Sequence, residues 1–199
     1  MTRVVLASNN PGKLRELNAM LGGQSIEVVP QGLFRVAEAE ETGLTFVENA
    51  ILKARHAARL TGLPALADDS GLEVDALQGA PGIYSSRFAG AEATDRDNVE
   101  MLLAALEAVP ESRRTARFQC VVCVLGHALD PTPLICQGAW EGRILAQPQG
   151  TGGFGYDPVF WVEGSGCSAA QLPPEVKNRL SHRAKAIQAL RRSIHLKLS

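Results

Sequence analysis

Short strand-forming and helix-forming stretches alternate along this chain, and that alternation limits the fold more than any other feature. Arg3 to Ala7 is an apolar run suited to a strand. Pro11 to Leu21 then places Leu14, Leu17, Met20 and Leu21 on one helical face, with Pro11 suited to a first turn and Gly22-Gly23 as a stop. Ile26 to Val29 reads as a second strand, and Glu38 to Glu41 as an acidic loop. Thr45-Phe-Val-Glu48 has capping-box spacing and predicts a helix whose apolar face is Val47, Ile51, Ala54 and Ala58. Asn49, Lys53 and His56 share its polar face, which reads as solvated. Leu63 to Ala67 predicts a strand ending at Asp68-Asp69-Ser70-Gly71. Thr94 caps a helix to about Val109, and strands follow over 116–125, 134–138, 140–145 and 159–162. Ser181 opens a last helix marked by Ile187, Leu190, Ile194 and Leu198. Interspersed strands and helices, with several strands in succession, predict an α/β fold with a mixed sheet flanked by helices.

The chain has 199 residues, 45% of them apolar and 21% charged, which predicts a single domain over 1–199 with a sizeable core. A net charge of −1 supplies no global basic field, which argues against a nucleic-acid partner. No apolar run approaches the ~20 residues of a membrane span. The first residues lack the about 7 to 15 apolar residues of a signal-peptide core, so a cytoplasmic protein is expected. Cys120 and Cys123 have CxxC spacing inside an apolar strand, where residues three apart face opposite ways. They are expected to be small buried hydrophobes, not a redox or zinc pair.

Chemistry concentrates at a few places. Adjacent carboxylates repel, so Asp68 and Asp69 invite a cation, and oxygen ligands at a strand end suit Mg2+, which also binds substrate phosphates. Ser8-Asn9-Asn10-Pro11-Gly12-Lys13 sits between a strand and a helix, where backbone N–H groups bind anions and Lys13 adds a charge. It is not a P-loop, since Ala7 replaces the first glycine and Leu14 the Ser/Thr. Gly152-Gly-Phe-Gly-Tyr-Asp157 sets two aromatics among glycines, and an exposed ring there can stack on a base. Ser181-His182-Arg183 opens a helix with a fixed donor fork.

The order of these segments resembles the Ham1-like family, the inosine/xanthosine triphosphate pyrophosphatases, in its bacterial form. The resemblance rests on Ser8 to Lys13, Glu41-Thr-Gly-Leu-Thr-Phe46, Glu48-Asn49, Lys53, Ala67-Asp-Asp-Ser-Gly-Leu72, Gly79-Ala-Pro-Gly-Ile-Tyr84, Gly152 to Pro158 and Ser181-His-Arg183. It implies hydrolysis of ITP, dITP, XTP or dXTP to the monophosphate and pyrophosphate. It also implies Mg2+ dependence, an elongated fold with two lobes and a central cleft, and a homodimer. By position, Ser8, Asn9, Asn10, Pro11, Gly12 and Lys13 match the phosphate loop, and Lys53, Ser70 and Lys177 match substrate contacts. Asp69 matches the catalytic carboxylate and metal ligand. Phe154, Gly155, Tyr156 and Asp157 match the base-and-sugar segment, and His182 and Arg183 the base-reading pair. Glu40 is favoured as second metal ligand, with Glu41 and Asp68 as alternatives. Ser8 stands where threonine is often found and keeps the hydroxyl. Two other readings stay open: a related pyrophosphatase for modified pyrimidine nucleotides, and a nucleotide-binding sensor without catalysis.

Overall fold

The computed structural model describes residues 1–21 and 25–198; the Met20 side chain and the Gly22-Gly23 helix stop lie outside the described residues. The strands are β1 (Thr2–Leu6), β2 (Ile26–Pro30), β3 (Ala65–Val74), β4 (Thr115–Leu125), β5 (Leu134–Ile144), β6 (Phe160–Val162) and β7 (Cys167–Ser168). The helices are α1 (Pro11–Leu21), α2 (Phe46–Thr61), α3 (Asp95–Ala105), α4 (Pro174–Leu180) and α5 (His182–Ser193). The strands form one mixed sheet in the order β2-β1-β3-β4-β5-β6-β7. β1 runs parallel to β2 and β3, and β6 antiparallel to β5 and β7.

The chain divides into two compact units, 1–69 with 120–138 and 185–199, and 70–119 with 139–184. In the first, strand periodicity sorts side chains between two layers of helix. Leu66 of β3 packs with Leu17 and Leu21 of α1 and with Ile187 and Leu190 of α5. Its neighbour Ala67 packs with Ala50 and Ala54 of α2, and Ala65 with Ala57 and Ala58. Alanine along that face of α2 lets the helix approach the strands closely. β4 shows the same alternation: Cys120, Val122 and Val124 join one cluster, and Val121, Cys123 and Leu125 another. The two thiols therefore lie on opposite faces, as the period of a strand dictates.

Local signals set the helix ends. The Thr45 hydroxyl accepts from the Glu48 N–H at 3.2 Å and donates to Glu48 Oε2 at 2.9 Å. Gly62, at φ 69°, closes α2 by donating its N–H to the Ala58 carbonyl. Thr94 and Asp97 form a complete capping box at the start of α3.

The second unit is built on Leu72, Val74, Leu102, Leu106, Phe118, Trp140, Ile144 and Phe160. Phe118 and Phe160 lie 4.5 Å apart by ring centroid, and Trp140 and Phe160 5.4 Å. A Cβ at Gly142 would meet the Trp161 carbonyl at 2.4 Å and the Phe160 ring at 2.6 Å, so only glycine lets β6 close on β5 there.

Several expectations are corrected. β3 does not end at Asp68-Asp69 but continues to Val74. The two segments 134–138 and 140–145 are one strand, Leu134–Ile144, because Gly138 and Ala139 continue in extended backbone. The strand expected over 159–162 begins at Phe160, after a 3-10 turn over Asp157–Val159. α3 stops at Ala105 rather than near Val109. α4 and β7 carried too few residues to be read from periodicity. Among the described residues, no helix is long and apolar enough to cross a membrane.

Candidate active site

In the first unit, β1 lies between β2 and β3, and the chain leaves β1 through α1 on one face and reaches β3 through α2 on the other. Such a reversal opens the carboxyl end of a parallel sheet to ligands. Two groups from the sequence analysis meet there. The loop Ser8 to Asn10 follows β1, and Asp68 and Asp69 lie just past the Leu66 that pairs with Leu6. Alternation along β3 sends the two acids to different lysines. Asp68 Oδ1 accepts from Lys13 Nζ of α1 at 2.8 Å, and Asp69 Oδ1 from Lys53 Nζ of α2 at 2.7 Å. Lys53 also donates to Glu41 Oε1 at 2.8 Å.

The polar face of α2 is thus not a solvated stripe. Lys53 is largely shielded, Asn49 is fully buried, and His56 Nε2 lies 3.0 Å from the Ala37 carbonyl. That face holds the acidic loop over 37–45. Of the two loop acids, Glu41 is the one brought to Lys53 and Asp69; Glu40 is exposed.

In this cluster Glu41, Asp68 and Asp69 meet the ammoniums of Lys13 and Lys53. Burial pushes the Asp69 carboxyl above its ordinary value, against the pull of Lys53, and the Glu41 and Asp68 charges add to the rise. Burial pulls the Lys53 ammonium down, but the Asp69 and Glu41 charges and hydrogen bonds outweigh it and leave the group raised. Hard carboxylate oxygens gathered in a partly dry place suit a divalent cation. Among the described residues no three His, Cys, Asp or Glu side chains converge as a self-sufficient metal cage. Mg2+ does not require one, since it is held by one or two carboxylates with waters and substrate phosphates.

The phosphate-loop candidates have partners of their own. Asn10 Oδ1 accepts from the N–H groups of Gly12 at 2.8 Å and Lys13 at 3.2 Å, and Ser8 Oγ from the Asn10 N–H at 3.1 Å. The expectation of free helix N–H donors is therefore corrected: Asn10 caps two of them. The Asn9 amide lies against Gly32, where a Cβ would meet its Oδ1 at 2.7 Å. Pro11 fills the first position of α1.

In the second unit the glycine loop and the last two helices make a separate constellation. Asp157 is buried and accepts from the Phe154 N–H at 2.8 Å and from Lys177. Gly153, at φ 75°, is required: a Cβ there would lie 2.0 Å from Asp157 Oδ2. This turn lifts Phe154 out, 58% exposed, with Lys177 Nζ 4.6 Å and Arg183 Cζ 5.9 Å from its ring centre. Tyr156 goes the other way. Its ring is in the core and its hydroxyl donates to the Ser85 carbonyl at 2.7 Å, so it offers no face to a ligand. The Gly155 N–H donates to Asp95 Oδ2 at 2.6 Å. His182 stacks on Phe118 at 4.9 Å, and Ser181 caps α5 through the Ala184 N–H at 3.2 Å. Arg183 makes a long 3.5 Å contact to Ser70 Oγ. The anchors Asp95 and Ser85 had no motif to announce them.

The model of the Ham1 family matches residues 4–193 of the chain. The chain belongs to the Ham1 family. It is 60% identical over 190 residues, 96% of each chain, to a dITP/XTP pyrophosphatase from Photobacterium profundum. It is 56% identical over 194 residues, 98% of this chain and 97% of the other, to one from Vibrio cholerae. Among solved structures, a HAM1 protein from Coxiella burnetii superposes with a TM-score of 0.95 at 51% identity, covering 98% of this chain and all of that one. The mixed α/β sheet flanked by helices is thus the fold of Ham1 family structures.

Proposed function

We infer that this chain is a nucleoside triphosphate pyrophosphatase that hydrolyses non-standard purine nucleoside triphosphates, dITP/ITP and dXTP/XTP, to the monophosphate and pyrophosphate. Relatives named dITP/XTP pyrophosphatase match it over nearly the full length of both chains. The observation that carries the reading is the convergence of Glu41, Asp68 and Asp69 on Lys13 and Lys53. Lys13, Lys53 and the loop from Ser8 to Gly12 bind the triphosphate. A water attacks the α-phosphorus in line, the α–β anhydride bond breaks, and pyrophosphate leaves. Asp69 orients that water and takes its proton. Burial holds its carboxyl above the ordinary value, which strengthens it as a base.

Mg2+ is the ion proposed, with Asp69 and Glu41 to hold it; the two carboxylates converge on Lys53, and their hard oxygen donors fit such a cation. When bound it would neutralise phosphate charge and make water more acidic. Glu41 replaces Glu40 in this assignment because it is the loop acid that shares Lys53 with Asp69.

Phe154 offers a ring face on which the purine stacks, and Lys177 and Arg183 flank it. Arg183 can only donate. Hypoxanthine and xanthine present an oxygen at position 6, an acceptor, whereas adenine presents an amino donor and leaves the pair unmade. The Arg183→Ala variant tests this. Losing a hydrogen bond from a charged group, about 1.5–3 kcal/mol, lowers kcat/KM for ITP roughly 10- to 150-fold and the ATP value far less. An ITP/ATP ratio unchanged within about twofold would reject base reading by Arg183.

A further inference from the structure

Asn49 is fully buried on α2, one turn before Lys53. Its Oδ1 accepts the Gly43 N–H at 2.9 Å, while its Nδ2 has no hydrogen-bond partner. A buried donor without a partner costs free energy, and an apolar side chain of the same size would fill this place without that cost. Packing therefore does not explain an asparagine here; the bond to the loop does. Three further contacts grip the same loop: His56 at the Ala37 carbonyl, Lys53 at Glu41, and Glu48 Oε2 at the Leu44 N–H, 2.9 Å. Gly43 lies so close to α2 that a Cβ would meet Glu48 Cβ at 2.6 Å and Asn49 Oδ1 at 2.7 Å. Gly43 stands two residues beyond Glu41, so fixing its N–H fixes where the Glu41 carboxylate can reach.

We propose that Asn49 is a positioning residue that pins Gly43 and thereby sets the Glu41 carboxylate at Lys53 and Asp69. It touches neither substrate nor metal and acts through Glu41. The proposal rests on the pyrophosphatase reading for its effect on rate, but its effect on the loop does not depend on that reading.

Two measurements on the full chain test it. In Asn49→Ala the amide exchange of Gly43 and its neighbours over 37–45 rises at least about fivefold, the release of one modest hydrogen bond. Exchange in the rest of α2 stays as in the wild type. In kinetics with ITP, Asn49→Ala lowers kcat about 10²-fold, the scale of a catalytic group misplaced by about 1 Å. Combined with Glu41→Gln it lowers kcat no further, because the two changes remove one function. Gly43→Ala, which forces the loop off α2, reproduces both results and serves if Asn49→Ala does not fold. Unchanged Gly43 exchange, or losses that multiply in the Glu41→Gln/Asn49→Ala pair, would overturn the proposal. A wild-type protein silent toward ITP would defeat the pyrophosphatase reading instead, and the exchange result would still decide whether Asn49 holds the loop.

Discussion

Replacing Gly153 by alanine should cost the second unit more than any change of equal size elsewhere in its loops. Two effects set the magnitude. The backbone sits at φ 75°, where an L side chain pays about 1–2 kcal/mol. The new Cβ would also lie 2.0 Å from Asp157 Oδ2 and 2.8 Å from its Cγ, so the carboxylate must withdraw. That breaks the bond from the Phe154 N–H to a charged acceptor, worth about 1.5–3 kcal/mol. Together Gly153→Ala loses about 2.5–5 kcal/mol, and the contact between Asp157 and Lys177 is disturbed as well. Denaturant unfolding measures the loss. Steady-state kinetics should show KM for ITP rising, since Phe154 is no longer held in the turn that exposes it. Asp157→Asn separates the causes, because it keeps an acceptor without the strained backbone and should lose less than Gly153→Ala. A Gly153→Ala variant within about 1 kcal/mol of wild type and with an unaltered KM would refute the reasoning.

Asp69→Asn should lower kcat at least ~10²-fold, the lower range for a general base. Because Asp69 is raised in the folded protein, its contribution to stability is full below the unfolded value of 3.8 and is lost as pH rises through the folded value. The stability of Asp69→Asn relative to wild type should therefore increase with pH across that interval; a difference flat in pH would contradict the shift. Burial pushes the Cys123 thiol up to about 12. Alkylation of the native protein at Cys123 should be far slower than of a free thiol, and reductants should leave activity unchanged. Rapid labelling of both Cys120 and Cys123, or activity lost with their reduction, would revive the CxxC reading.

Much of the fold was legible because the repeating patterns are strong. The Thr45 and Thr94 caps, the apolar face of α1 and the alternation of β4 each follow from spacing in a few consecutive residues. The errors share a cause: a neighbour distant in sequence overrode a local signal. Gly71 reads as a stop, yet β3 carries on beyond it, because Leu72 and Val74 have the second unit's core to enter. Gly138 reads as a break, yet β5 runs through it, and Phe160 and Trp161 press closely on the strand at Gly142. Asn49, Lys53 and His56 have the spacing of a wet helix face, but the returning loop packs on all three. The same loop brings Glu41, and not Glu40, to Lys53, where spacing alone leaves the two equal. Phe154 and Tyr156 are alike in sequence, two aromatics among glycines, and diverge because Asp157 holds the first outward while Ser85 holds the second inward.

The most direct test of the account is the product analysis of the purified protein with Mg2+ and ITP, XTP or ATP in turn. Inosine or xanthosine monophosphate and pyrophosphate should form in equal amounts, turnover should cease after chelation of the metal, and kcat/KM for ITP should lie at least ~10²-fold above that for ATP. Inosine diphosphate with free phosphate as the main products, or ATP turned over as efficiently as ITP, would contradict it.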